Sequence, residues 1–265
     1  LKRLLIRPGA IGDFIVSLPA LQWLKADYTE VWCASAMLPL AGFADRAVSL
    51  AASGIDRLGL VDAADVIERL RGFDEIHSWY GTNRPEFREF VALSRLPFCF
   101  YPALPVCSRL SASDYYLTQV NAPLGAFPRI PLRTNAKDSA IVLHPFSGSA
   151  RKNWPMSRWL ELASLLPLPV AWCRGPEDVL PGGVLDSVVM IPDLLELAQW
   201  IGGARAFIGN DSGITHLAAA TGVQTIALFG ETDPEVWAPR GEDVRLIRSQ
   251  PLSALRAETV AEAVR

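Results

Sequence analysis

The residues of this 265-residue chain best suited to chemistry lie in short polar turns that each follow an apolar run. The most telling is Phe207-Ile-Gly-Asn-Asp-Ser-Gly-Ile-Thr-His-Leu-Ala-Ala-Ala-Thr-Gly222. Residues 206–208 read as a buried strand, 210–213 as turn and cap, and 214–221 as a small-residue helix ended by Gly222. Free N–H groups at that helix start would point into the crevice at the strand's carboxyl end, a place that suits an anion and above all a phosphate. Ser212, Gly213 and Thr215 are the natural contacts for it. Asp211 is equally suited to capping the helix and Asn210 to satisfying the turn. His216, one of three histidines, falls near the same anion if it is not simply packed against the helix.

A second turn, His144-Pro-Phe-Ser-Gly-Ser-Ala-Arg-Lys-Asn-Trp-Pro155, again follows a strand. Ser147, Gly148 and Ser149 bring hydroxyls and backbone close to a ligand, and Lys152 supplies a mobile positive charge unless it belongs to a solvated loop. No G-K-[ST] follows the glycine, so this is not a Walker phosphate loop. The third turn, Leu4-Leu-Ile-Arg-Pro-Gly-Ala-Ile-Gly-Asp-Phe-Ile15, runs from a strand through a glycine loop to a helix expected to begin at or just after Asp13. A carboxylate there is either an N-cap, worth about 1 kcal/mol, or a general base facing a cleft.

The elements that must position these turns alternate along the chain. Strand-like runs at 3–7, 30–34, 75–80, 140–144, 170–173, 188–191, 206–209 and 223–229 are interspersed with amphipathic helical segments such as 156–166 and 194–201. This is parallel α/β sequence. A proline-rich stretch without periodicity, 121–138, is the best linker. It divides the chain into residues 1–130 and 131–265, each opening with strand, turn and helix. There is no internal sequence repeat.

Composition is that of a globular protein: 50% hydrophobic, 20% charged, with mean hydropathy +0.21. A net charge of −3 gives no general drive toward nucleic acid. No apolar run is long enough to span a bilayer or to serve as a signal peptide, which makes the cytoplasm the expected compartment. Cys33, Cys99, Cys107 and Cys173 are scattered without metal-ligand spacing and read as ordinary thiols. The absence of G-x-G-x-x-G after any strand disfavours a dinucleotide oxidoreductase.

Taken together, the motifs resemble glycosyltransferase family 9, the ADP-heptose:lipopolysaccharide heptosyltransferases. The resemblance lies in Ala10-Ile-Gly-Asp13 continuing into Ser17-Leu-Pro-Ala-Leu21, in Ser147-Gly-Ser with Lys152-x-Trp-Pro155, and in Gly209-Asn-Asp-Ser-Gly-x-x-His-Leu-Ala-Ala-Ala-x-Gly222. It runs on through Phe229-Gly-Glu-Thr-Asp-Pro234 and Pro239-x-Gly241, and covers residues 1–25 and 140–241 best.

The resemblance implies a GT-B fold, two Rossmann-like domains with parallel sheets facing a central cleft. The first domain would receive the acceptor and the second the nucleotide-sugar, and a last helix at 253–264, capped by Ser253, would cross back to the first. It implies an inverting transfer in which Asp13 is the base and Lys152, with the amides near Ser212 and Gly213, stabilises the departing diphosphate. Neither a metal nor a cofactor is expected. By resemblance Asp211 contacts the donor sugar and Glu177 the nucleotide ribose. The segment His77-Ser-Trp-Tyr-Gly-Thr-Asn-Arg-Pro-Glu-Phe-Arg88 departs from the family pattern. In it Trp79, Tyr80 and Arg84 form an acceptor surface or ordinary packing, and Gly12 joins them on the acceptor side. The expected reaction moves heptose from an ADP-linked donor to a lipopolysaccharide-core glycan, at the cytoplasmic face of the inner membrane. A non-catalytic nucleotide-sugar-binding module and a GT-B epimerase or hydrolase are the alternatives.

Overall fold

The computed structural model describes residues 1–60, 62–106, 109–132, 140–180 and 187–264. Cys107 and the later part of the linker stretch, 133–138, lie outside the described residues. The chain divides into two compact units, Leu1–Ser108 with Ser113–Ala126, and Arg109–Ala112 with Phe127–Arg265. The linker stretch is therefore partly absorbed into the second unit. Ile130 is buried, and its N–H donates to Ala220 O at 2.8 Å.

The first unit contains β1 (Lys2–Arg7), α1 (Ile11–Trp23), β2 (Tyr28–Cys33), β3 (Arg46–Ser49), α2 (Leu50–Ser53), α3 (Ala64–Arg71), β4 (Glu75–Ser78), α4 (Pro85–Leu93) and β5 (Phe98–Phe100), and most of α5 (Ala112–Gln119). Its five strands are all parallel in the order β3-β2-β1-β4-β5. The strand that comes first in sequence is central because both of its faces are buried. Leu4, Leu5 and Ile6 are fully enclosed, which at about 2 kcal/mol per side chain fixes the middle of the sheet.

The second unit holds β6 (Ile141–His144), α6 (Met156–Leu165), β7 (Val170–Cys173), β8 (Val188–Val189), α7 (Leu194–Gly202), β9 (Ala206–Asn210), α8 (Gly213–Thr221), β10 (Thr225–Phe229), α9 (Pro234–Trp237), β11 (Val244–Arg248) and α10 (Ala257–Ala261). Its six parallel strands are ordered β11-β10-β9-β6-β7-β8. Asp193 caps α7 by accepting from Leu195 N and Glu196 N, and Gly222, at φ +82°, ends α8 in the left-handed conformation that glycine tolerates.

In both sheets the chain adds strands on one side of its first strand and then crosses to the other. The switch points are β1/β4 and β6/β9, and crevices at the carboxyl ends of such pairs are where doubly wound sheets bind ligands. All three polar turns open at these points.

The last helix starts later than expected and is not capped by Ser253. Ser253 lies in a 3-10 turn, Leu252–Ala254, and the helix begins only at Ala257. It packs on α6 of its own unit: Leu252, Leu255, Ala257 and Val260 share a core with Trp154, Trp159 and Leu162, and Trp154 Nε1 donates to Leu255 O at 3.2 Å. Burial of these apolar side chains against two tryptophans anchors the helix in the second unit.

Candidate active site

In the second unit the site is built on Asn210, the last residue of β9. Its fully buried side chain accepts from Trp154 N at 3.1 Å and donates from Nδ2 to Pro145 O at 2.8 Å, so one amide ties the turn after β9 to both ends of the loop after β6. Within that loop Ser147 Oγ lies 2.8 Å from Ser149 O and 2.7 Å from Asn153 Oδ1, and it accepts from Ser149 N at 3.3 Å. Gly148 is exposed at the tip.

These braces bring Lys152 to Asp211. Nζ lies 2.7 Å from Oδ2, with the carboxylate 7% exposed and the lysine side chain 39% exposed. Asp211 Oδ2 is itself sealed from solvent, and its approach to the ammonium is that of an ion pair rather than a directed hydrogen bond. Ser212 is the N-cap of α8, its Oγ accepting from Thr215 N at 3.3 Å. The half-exposed Gly213 and Ile214 begin the helix, and their N–H groups make no hydrogen bond among the described residues. A lysine ammonium paired with Asp211 and two free amides thus share the β6/β9 switch point, a setting chemically suited to an anion.

One residue expected at the anion faces elsewhere, and another is buried. Thr215 is fully buried and its hydroxyl donates to Asn210 O at 2.5 Å, because a side chain at the third helical position folds back over the capping turn. His216 is packed, at 6% exposure. Glu177 is exposed on a turn held by its neighbours: Asp178 Oδ2 accepts from Gly175 N at 2.8 Å, and Arg174 Nη1 donates to Gly175 O at 3.1 Å. A half-open pocket of about 430 Å³ lies between the 151–155 loop and the segments around Glu231 and Gln250. Below the loop, His144 is buried against Phe207 and Phe146, with Nδ1 unpartnered among the described residues; burial pulls its pKa down to about 4.

In the first unit α1 begins at Ile11, two residues ahead of Asp13. Asp13 is therefore not the N-cap: it sits in the first turn, and its Oδ2 reaches back to accept the Ala10 N–H at 3.0 Å, so the carboxylate does the capping that an alanine cannot. Oδ1 has no hydrogen bond among the described residues, and the side chain is half-buried. Gly12 precedes it in the same turn, half-exposed.

Of the aromatic segment after β4, Tyr80 and Arg84 stay together, Arg84 Nη1 donating to Tyr80 Oη at 2.9 Å on the exposed side. Trp79 does not join them. It is 1% exposed, its Nε1 donates to Gln119 Oε1 at 2.6 Å, and its ring packs on Tyr101 and Tyr116, because a full indole is better satisfied under α5 than in water. No group of three or more His, Cys, Asp or Glu among the described residues could hold a metal ion.

Sequence reasoning passed over Arg7 and Asn153. Arg7 carried a readable signal, a charge directly after the enclosed Leu4-Leu-Ile6 run. Asn153 carried none beyond its place beside Lys152.

The chain is similar to known proteins in fold and in sequence. The structure is similar to that of E. coli ADP-heptose lipopolysaccharide heptosyltransferase II, with TM-score 0.76, 18% identity, and coverage of 99% of this chain and 97% of that one. It is similar also to a glycosyl transferase family 9 structure from Veillonella parvula, with TM-score 0.78, 16% identity, and coverage of 99% and 95%. In sequence the chain is 25% identical over 235 residues to lipopolysaccharide heptosyltransferase 1 of E. coli K12, covering 78% of this chain and 70% of the relative. It is 34% identical over 93 residues to its namesake in Pseudomonas aeruginosa, covering 31% and 26%. The family model "Glycosyltransferase family 9 (heptosyltransferase)" matches residues 190–262.

Two doubly wound parallel units of this kind are the GT-B fold. The chain is a glycosyltransferase, similar to glycosyltransferase family 9, the heptosyltransferases, in the family-model match over residues 190–262 and in relatives 25–26% identical over 78% of its length.

Proposed function

We propose that this enzyme transfers heptose with inversion from ADP-heptose to a lipopolysaccharide-core glycan. The observation that carries the reading is the Lys152–Asp211 pair beside the free amides of Gly213 and Ile214, on a scaffold pinned by Asn210. When the donor binds, the Lys152 ammonium turns from Asp211 to the diphosphate and Asp211 is released to accept from sugar hydroxyls. Ser147, Gly148 and Ser149 line the same loop, and Glu177 meets the ribose. Names of relatives that include ADP-heptose and lipopolysaccharide support this choice of substrates.

In the transfer step the acceptor hydroxyl oxygen bonds to the anomeric carbon and its proton passes to the Asp13 carboxylate. The bond from the anomeric carbon to the diphosphate breaks, its electron pair leaving on the diphosphate oxygen. Lys152 and the two amides stabilise the charge that grows there, the part a metal plays in other transferases, so the reaction runs without one. Tyr80, Arg84 and Gly12 lie on the acceptor side. An acceptor embedded in lipid brings the enzyme to the cytoplasmic face of the inner membrane.

The test is a screen of purified protein against ADP-, GDP-, UDP- and dTDP-sugars, reading thermal stabilisation and nucleotide release, with and without EDTA. Stabilisation by ADP-heptose alone, and release only when glycan is added, supports transfer. Asp13→Asn should abolish release while binding donor almost as well, and Lys152→Ala should weaken both. Turnover retained in Asp13→Asn removes the base, stabilisation without turnover for every acceptor favours a binding module, and activity lost in EDTA removes metal independence.

A further inference from the structure

Arg7 closes β1 with a buried cation where a leucine would fill the space at less cost. It is 2% exposed, and its guanidinium is held by neutral oxygens: Nε donates to Ser17 Oγ at 3.0 Å, Nη1 to Pro8 O at 2.8 Å, and Nη2 to Asp13 O at 2.8 Å and Tyr116 Oη at 2.9 Å. It makes no ion pair with a carboxylate among the described residues. Burial lowers its pKa from the ordinary arginine value, opposed by Tyr116 and by the charge of Asp13. Burying a charge without a counter-ion is unfavourable unless its donors are well satisfied, which here they are.

The acceptors show what the guanidinium fixes. Pro8 O and Asp13 O flank the turn at Gly9, where φ is +120° and an added Cβ would stand 2.9 Å from Asp13 Cβ. Arg7 thus clasps the turn through its main chain, while Asp13 Oδ2 clasps it through the Ala10 N–H. Ser17 Oγ extends the tie along α1 by donating to Phe14 O at 2.8 Å, and Tyr116 Oη extends it to the segment after β5 by donating to Ala103 O at 2.7 Å. The Tyr116 ring packs 4.7 Å from Arg7 Cζ. Lysine has a point charge and no planar fork, and cannot span these acceptors together.

We propose that Arg7 is a positioning residue for the Asp13 carboxylate, holding the turn and the first turn of α1 so that the base meets the acceptor hydroxyl at a fixed place. The inference rests on the reading of Asp13 as the general base. A carboxylate displaced by about 1 Å loses roughly 100-fold in rate without any loss of donor binding.

The experiment is a double-mutant cycle in the full chain, with Arg7→Met, Asp13→Asn and their combination, plus Arg7→Lys and Tyr116→Phe. Turnover is read as nucleotide release from ADP-heptose with heptose-deficient lipopolysaccharide core, and is normalised to the folded fraction given by thermal melts and by donor-binding stoichiometry. Arg7→Met should lower kcat by roughly 30- to 100-fold with donor KM within about twofold, and Arg7→Lys should recover part of the loss. Added to Asp13→Asn, Arg7→Met should cost less than about threefold more, because the group it positions is already gone. Tyr116→Phe, which removes one acceptor and keeps the core, should lower kcat roughly fivefold and decides the question if Arg7→Met does not fold.

Unchanged kcat per folded molecule in Arg7→Met, or an equal loss in both Asp13 backgrounds, overturns the proposal. Near-normal turnover in Asp13→Asn alone instead overturns the base assignment on which it rests. If Asp13→Asn gives no measurable turnover, the kcat-against-KM split and the partial rescue by Arg7→Lys carry the decision.

Discussion

Buried His144 makes the second unit acid-sensitive in a way that can be worked out from the structure. Burial holds its pKa near 4, against 6.5 for a free imidazole. Between these values the unfolded chain takes up a proton that the folded chain refuses, so stability is intact above about pH 6.5 and is lost as pH falls toward 4. For a shift of this size the loss between pH 7 and pH 5 is about 2 kcal/mol, reaching about 3 kcal/mol at pH 4. His77, whose pKa burial also lowers, acts in the same direction in the first unit, and the wild-type curve alone does not separate the two. His144→Leu does, being similar in volume and free of the unpartnered Nδ1. Urea unfolding should show a free energy of unfolding that falls as pH drops from 7 to 5 in the wild type and falls by about 2 kcal/mol less in His144→Leu. Because His144 immediately precedes the loop that carries Lys152, donor affinity should follow the same difference. Parallel pH curves for the two proteins would refute the neutral, buried imidazole.

Three further outcomes are expected. Asn210→Ala leaves Trp154 N–H and Pro145 O without their partner and should destabilise the protein by about 2–4 kcal/mol, raising donor KM more than it lowers kcat; denaturant titration and initial-rate kinetics check both. Gly9→Ala forces a side chain into φ +120° and against Asp13, and should lower kcat at least tenfold while leaving nucleotide binding, measured by calorimetry, unchanged. Glu177→Ala, on an exposed turn, should change stability by less than about 0.5 kcal/mol, so a rise in donor KM in that variant would report ribose contact alone.

What the sequence made legible follows burial. The strands β1, β2, β6, β9 and β10 are mostly enclosed and stand out as runs, whereas β3 and β11 are sheet edges whose half-exposed residues include arginines, and β5 is an apolar but three-residue edge strand that stands out by neither length nor burial. The start of α1 was misplaced because a capping residue type was sought at the N-cap, where the chain has Ala10 and lets Asp13 reach back from the first turn. Trp79 and Thr215 look like ligand contacts by composition. Only the packing under α5 and the geometry of the capping turn show that both are turned inward. Lys152 and Asp211 stand out separately by motif, but the 58 residues of sequence between them hide the ion pair that the β6/β9 adjacency creates.

The two units solve the same problem with different chemistry. A crevice at a switch point is bordered by loops, and loops cannot hold a base or an ammonium to the tolerance that transfer demands unless something beneath them is rigid. In each unit the last residue of a central strand supplies that rigidity through a buried polar side chain that bonds main-chain groups of the turn: Arg7 beneath the Asp13 turn, Asn210 beneath the Lys152 loop. On the proposed function, the groups that would meet ligand are those the braces leave unsatisfied, namely Asp13 Oδ1 and the Gly213 and Ile214 amides, together with the Lys152 ammonium now paired with Asp211. The motif glycines and serines therefore carry less of the specificity than their prominence in the sequence suggests, since Ser147 and Ser212 spend hydroxyl contacts on their own loops. Rate and affinity should accordingly be more sensitive to the two braces, which touch no ligand, than to either serine.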